Sequence, residues 1–401
     1  MLWDALTLQL GYNATLVTIG AALLGVSAGV TGTFLYLRKR ALVSDAISHA
    51  TLPGVALAFI VMVALGADGR SLPGLLLGAA VSSWIGLLCV NWLTARTRLA
   101  EDAAIGAVLS VFFGFGIVLL TVIQTMTAGR AAGLEGFLLG STAGMLFNDA
   151  VVIAVGGAVT LALVVALRRP MGLVAFDPEF AAASGVNVRR IDLAIMGLAL
   201  AVTVVGLKVV GLVLIVAMLI IPPVTARFWT DRTDKMAVIS GACGGAAAWI
   251  GAAISATAPS LPTGPIIVLT SFALFLLSLL LAPNRGLLAV GMRHRRFQRR
   301  VHMRQGLLAL AQGQPIFERF TLTLLRRAGL AHADGVATED GKARAAKALR
   351  DETRWQVVRA DQAFESAAAL YDGLRDIETV LTNDQIDEID RRIGNPKGVA
   401  T

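Results

Sequence analysis

Asp45 and His49 stand four residues apart in the stretch Ser44-Asp45-Ala46-Ile47-Ser48-His49-Ala50-Thr51-Leu52-Pro53-Gly54. On a helix this spacing puts a carboxylate and an imidazole on one face, with Ser48 beside them. The axial rise between them is about 6 Å, short enough for both to hold one divalent cation. Oxygen and imidazole donors without thiolate suit Mn2+, Zn2+ or Fe2+ and disfavour Cu+. The stretch lies in a long apolar run, and His49 is the only histidine before His294. Polar groups buried there cost on the order of several kcal/mol each unless they are paired or face a water-filled path. Pro53 has no N–H to offer the carbonyl of His49, and Gly54 loosens the same turn, so a helix break is expected at Pro53-Gly54. A purely structural reading stands beside the chemical one. In it, Asp45 caps the helix start near Arg38-Lys39-Arg40 and His49 hydrogen-bonds a neighbouring helix.

The elements that position these residues are apolar. Of 401 residues, 56% are hydrophobic and 15% charged, against roughly 25% charged in soluble domains. Residues 1–282 carry 15 Lys+Arg and 12 Asp+Glu, while the shorter stretch 283–401 carries 20 and 15. The chain is thus an apolar body with a charged tail. Hydropathy predicts nine spans, at roughly 14–37, 43–65, 72–94, 104–125, 149–168, 190–206, 209–226, 236–257 and 264–282. The sixth and seventh share one apolar stretch with a tight hairpin at Gly206–Gly211, so eight is the other count. Residues 1–13 read as a short interfacial segment, and no signal peptide is expected. The loop 126–148 reads as a re-entrant or interfacial piece.

Cation clusters fix the expected orientation. Arg38-Lys39-Arg40, Arg96 with Arg98, Arg168-Arg169, Arg189-Arg190, Arg227 with Arg232 and Lys235, and Arg285 with Arg293 all fall on one side when the spans alternate. That predicts an N-terminus outside and a C-terminus inside. Cys89 and Cys243 both sit in apolar segments and read as small buried hydrophobes. The inside loop predicts one short helix: Asp177 suits the N-cap, Pro178 the first turn and Gly185 the stop. No G-x-x-x-x-G-K-[ST] phosphate loop occurs, so ATP binding by this chain is not expected.

Four ordered stretches resemble the zinc/manganese/iron class of ATP-binding-cassette permeases. They are Leu42 to Leu57, Glu101-Asp102-Ala103-Ala104-Ile105-Gly106, Phe176-Asp177-Pro178-Glu179-Phe180-Ala181 to Gly185, and Val209-Val210-Gly211 to Arg227. The resemblance covers about residues 10–285. It implies a multi-pass protein of the bacterial cell membrane, paired with a second permease copy or a paralogue. Cytoplasmic ATPase subunits and an extracytoplasmic metal-binding protein are the other implied partners. Carried over by motif, Asp45 and His49 line the metal path, with Ser48 a weaker candidate. Asp177, Pro178, Glu179, Phe180 and Gly185 form the coupling helix. Glu101 and Asp102 read as a helix N-terminus complementing its dipole.

The tail reads differently. Residues 286–304 form an arginine-rich linker, a patch for anionic lipid next to the inner leaflet. Residues 305–401 form a small domain that partly resembles the iron-dependent repressor family. The resemblance rests on Gly335 to Ala345, Arg350 to Trp355 and Ile377 to Thr382. The family's metal-binding histidine is absent there, since Asp351-Glu352-Thr353 stand in its place, and acids outnumber cations. That argues against nucleic acid as a partner.

The expected fold is therefore an all-α transmembrane bundle, residues 1–285, followed by the basic linker and a cytoplasmic α/β winged-helix-like domain. The expected function is the permease subunit of an importer for Mn2+, Zn2+ or Fe2+, without an enzymatic activity or permanent cofactor of its own. A membrane-tethered metal-responsive regulator with a DNA-binding tail, or a permease for metal chelates, is the alternative.

Overall fold

The computed structural model describes residues 2–9, 11–66, 69, 71–126, 145–258 and 261–394. The chain forms two compact units, Met1–Leu287 and Leu288–Thr401. The first unit contains α1 (Leu2–Leu6), α2 (Tyr12–Leu37), α3 (Val43–Ala64), α4 (Leu72–Arg96) and α5 (Glu101–Thr125). After residues outside the described set come α6 (Phe147–Phe176) and the short α7 (Pro178–Ala183). The helical run Val188–Arg227 is broken at Gly211 (φ 75°, ψ 171°) into α8 (Val188–Leu207) and α9 (Leu214–Arg227). The unit ends with α10 (Thr233–Ser255) and α11 (Thr263–Leu281).

Eight of these helices are long and apolar enough to cross a membrane: α2 to α6, α8, α10 and α11. The expected seventh span is the shorter α9. The chain reverses between α8 and α9, because a Cβ on Gly206 would lie 2.9 Å from Cδ1 of Ile215, nine residues later. A straight helix would separate those residues by about 13 Å. The re-entrant piece expected at 126–148 falls almost wholly outside the described residues.

Small residues set the packing. In lipid, helices associate by close approach rather than by hydrophobic burial. A Cβ on Gly25 would stand 2.4 Å from the Gly244 carbonyl, and one on Gly29 equally close to that of Ser240. Ser240 Oγ donates to the Gly29 carbonyl at 2.7 Å across the same seam. Gly54 and Gly78 make a second such crossing, between α3 and α4, with each blocked by the other's carbonyl.

Two expectations are corrected. α3 runs unbroken from Val43 to Ala64 through Pro53 and Gly54, so there is no helix break at that pair. Proline removes one hydrogen bond, and packing on both sides holds the axis; Gly54 serves the α4 contact instead. Similarly, α6 continues through Pro170 to Phe176, well past the expected end near residue 168.

The second unit contains α12 (Leu287–Ala311), α13 (Arg319–Arg327), α14 (Glu339–Ala360) and α15 (Asn383–Gly394). Most of the arginine-rich stretch 286–304 is helical, as the first part of α12. Arginine is a good helix former and Gly291 alone does not stop it. Among the described residues the expected wing is a single bridge between Ala331 and Ala337. The Thr338 side chain caps α14 by accepting from Gly341 N at 3.1 Å. Trp355 is fully buried among Val358, Phe364, Ile377 and Ile389. Trp355→Ala is expected to cost this unit about 3–5 kcal/mol. Limited proteolysis should then cut the tail well before the membrane unit.

Candidate metal path and coupling face

α3 carries the chemistry-bearing pair in its first two turns. His49 Nε2 lies 3.5 Å from Asp45 Oδ1, and the two side chains are 29% and 41% exposed. His49 Nδ1 is buried and has no hydrogen-bond partner. The imidazole edge meets the ring of Phe113 on α5, with centroids 5.1 Å apart. Pairing with Asp45 leaves one imidazole nitrogen unsatisfied, so the structural reading of His49 as a bonded interhelical residue does not hold in this chain. A carboxylate and an imidazole nitrogen suit Mn2+, Zn2+ and Fe2+. Among the described residues no three His, Cys, Asp or Glu side chains converge. The pair therefore offers two candidate donors, Asp45 and His49, and no third such side chain joins them among the described residues.

Ser48 is not brought to this pair. It is fully buried, and its hydroxyl donates to the Ser44 carbonyl at 2.9 Å. Thr51 Oγ1 donates to the Ser48 carbonyl at 2.6 Å, and Ser83 Oγ on α4 donates to that of Ile47 at 3.1 Å. These hydroxyls are all turned to backbone carbonyls of α3 upstream of Pro53 and not to the Asp45–His49 pair.

α7 forms as its cap residues dictate. Asp177 Oδ1 accepts from Phe180 N at 2.9 Å. Pro178 occupies the first turn, and Gly185 closes the helix at φ 83°. Val186 N donates to the Ala181 carbonyl at 2.9 Å, the bond of a glycine-terminated helix. Ala181 is buried beneath α7, whereas Asp177, Glu179 and Phe180 are exposed. Gly185→Ala puts a Cβ on a left-handed residue and is expected to destabilise α7 by about 1 kcal/mol. Hydrogen exchange across residues 178–186 would report it.

Sequence reasoning missed the ion network on the same face. Arg38 pairs with Asp192, and Arg40 with Glu101. Glu101 is therefore an ion-pair partner as well as a helix start. The one available signal for Asp192 was an acid just inside an apolar span, after Arg189-Arg190. Because Arg38 also bonds the Val174 carbonyl, the ends of α2 and α6 and the starts of α5 and α8 share one face. α7 lies between two of them in the chain.

Residues 12–282 match the ABC 3 transport family. The chain belongs to this family. The manganese transport system membrane protein MntC of Bacillus subtilis is 41% identical over 310 residues, covering 77% of this chain and 70% of that protein. The zinc transport system membrane protein TroC of Treponema pallidum is 36% identical, covering 71% and 94%. Among solved structures, PsaBC from Streptococcus pneumoniae in complex with Fab is similar at a TM-score of 0.63 and 31% identity. That likeness covers 73% of this chain and all of that one. This is a multi-pass membrane permease of the ABC type, and its apolar helices are the matched part. The second unit lies beyond the residues that the family model matches, although the 310-residue match to MntC of Bacillus subtilis extends into it.

Proposed function

We propose that this chain is the permease subunit of an importer for Mn2+, Zn2+ or Fe2+, driven by separate ATPase subunits. The observation that carries it is the Asp45–His49 pair, with one unsatisfied imidazole nitrogen, on a half-open face of α3. Relatives named as manganese and zinc transport proteins support the cargo class. The ion is cargo, moved by alternating access, and not a resident cofactor. A lone chain leaves the pair open, and a second permease copy or paralogue would enclose it.

The cation-rich face is the cytoplasmic one in this reading, which puts the C-terminus inside and the N-terminus outside. Asp177, Pro178, Glu179, Phe180 and Gly185 then form the coupling helix. Exposed Phe180, 59% accessible, is its anchor on the ATPase. A groove of about 500 Å³ lined by Arg168, Arg169, Phe176 and Asp234 lies at the neighbouring helix ends and extends that docking face. An extracytoplasmic binding protein loads the metal from the other side. The tail, residues 305–401, serves as a cytoplasmic contact or regulatory element.

The test is metal-resolved uptake in a strain lacking its own importers, with the cognate ATPase and binding protein supplied. Accumulation of one or more of the three metals is expected, and accumulation of none rejects the reading. Phe180→Ala is expected to weaken ATPase co-purification and lower uptake by about thirtyfold, an anchor truncation costing about 2 kcal/mol.

A further inference from the structure

Arg38 and Asp192 meet fork to fork. Nε reaches Oδ1 at 2.8 Å and Nη2 reaches Oδ2 at 2.8 Å. The remaining Arg38 Nη1 donates to the Val174 carbonyl at 3.0 Å. Arg40 Nε lies 2.9 Å from Glu101 Oε1, and its Nη1 stands 3.7 Å from Asp192 Oδ2. Asp192 and Arg38 are only 11% and 15% exposed. A planar guanidinium held by both carboxylate oxygens resists rotation as well as separation. With so little solvent, removing one partner strands the other charge.

The places these residues occupy give the network a direction. Val174 lies in the last turn of α6 and Asp192 in the second turn of α8, so they flank α7 on both sides in the chain. Arg38 and Arg40 lie in the turn that leads directly into α3, five residues before Asp45 at the nearest. Lys39 between them sits at φ 58°, a left-handed conformation that costs a non-glycine residue energy and persists where its surroundings hold it. The turn is thus fixed at one end by the shielded Arg38–Asp192 pair and at the other by the partly exposed Arg40–Glu101 pair.

We propose that Arg38–Asp192 and Arg40–Glu101 form a clamp that moves α7 and the first turn of α3 as one body. Displacement of the coupling helix by the ATPase is then delivered to Asp45 through this turn, not through the length of a helix. This rests on the permease reading given above. The four residues are positioning residues. They touch neither the metal pair nor the exposed face of α7.

The experiment uses the full chain, reconstituted with its ATPase and binding protein, and measures metal uptake and ATP hydrolysis in the same vesicles. Asp192→Asn keeps the shape and removes the charge. Uptake is expected to fall by about tenfold or more while hydrolysis stays within about twofold of the unmodified complex, which is uncoupling. The charge exchange Arg38→Asp with Asp192→Arg is expected to restore part of the uptake. Unchanged uptake in Asp192→Asn overturns the clamp, as does an equal fall of uptake and hydrolysis, the mark of a merely structural role. If Asp192→Asn fails to assemble, Arg40→Gln applies the same comparison to the Glu101 arm. An unmodified complex that moves no metal rejects the permease reading first, so the two failures are distinct.

Discussion

His49→Ala is expected to reduce metal uptake by about two orders of magnitude, with the protein still folded and inserted. Loss of outer-sphere partners alone costs metal sites about 10–100-fold, and His49 would be one of only two donors. The ring is 29% exposed and packs edge-on against Phe113, so its removal leaves a small, partly wet space rather than a collapsed core. Asp45→Ala is expected to have a similar effect. The double variant should be little worse than either, because residues that act as a unit lose their function once. Isotope-resolved uptake in vesicles checks all three. Undiminished uptake of free metal in the double variant would remove the pair from the ion path and favour a chelate as cargo.

Gly54→Ala is expected to be the most damaging conservative change in α3. Its Cβ would stand 2.1 Å from the Gly78 carbonyl and 2.5 Å from Ser82 Cβ. Backbone cannot yield as a side-chain tip can, so α3 and α4 must separate. Overpacking of this kind costs about 1–3 kcal/mol, and more where both surfaces are rigid. Pro53→Ala is expected to cost less, because α3 is already helical through that position. Thermal unfolding in detergent gives both values. A larger loss for Pro53→Ala than for Gly54→Ala would restore the helix break that the sequence suggests.

The spans were legible because about twenty apolar residues have few other fates. α7 was legible for a different reason: Asp177, Pro178 and Gly185 each perform a local task that does not depend on the rest of the fold. The pair Asp45 and His49 was visible as an i, i+4 spacing on one face. What failed was local inference about tertiary compensation. Pro53 looks like a break in one dimension, but its helix is braced by α4 and α5. Ser48 shares the neighbourhood of His49 in sequence and spends its hydroxyl on the Ser44 carbonyl. The Arg38–Asp192 pair joins residues 154 positions apart, and no periodicity announces such a contact.

The reversal at Gly211 has a geometric consequence. Arg38 pairs with Asp192 near the start of α8, while a Cβ on Gly206 near its end would meet Leu24, close to the middle of α2. On the way back, Leu219 of α9 abuts Gly32, nearer the Arg38 end again. With 14 residues, α9 is about 21 Å long, short of a hydrocarbon core of about 30 Å. α8, at 20 residues, is long enough to cross that core, so the two arms of the reversal are unequal, and α9 returns along α2 only part of the way that α8 came.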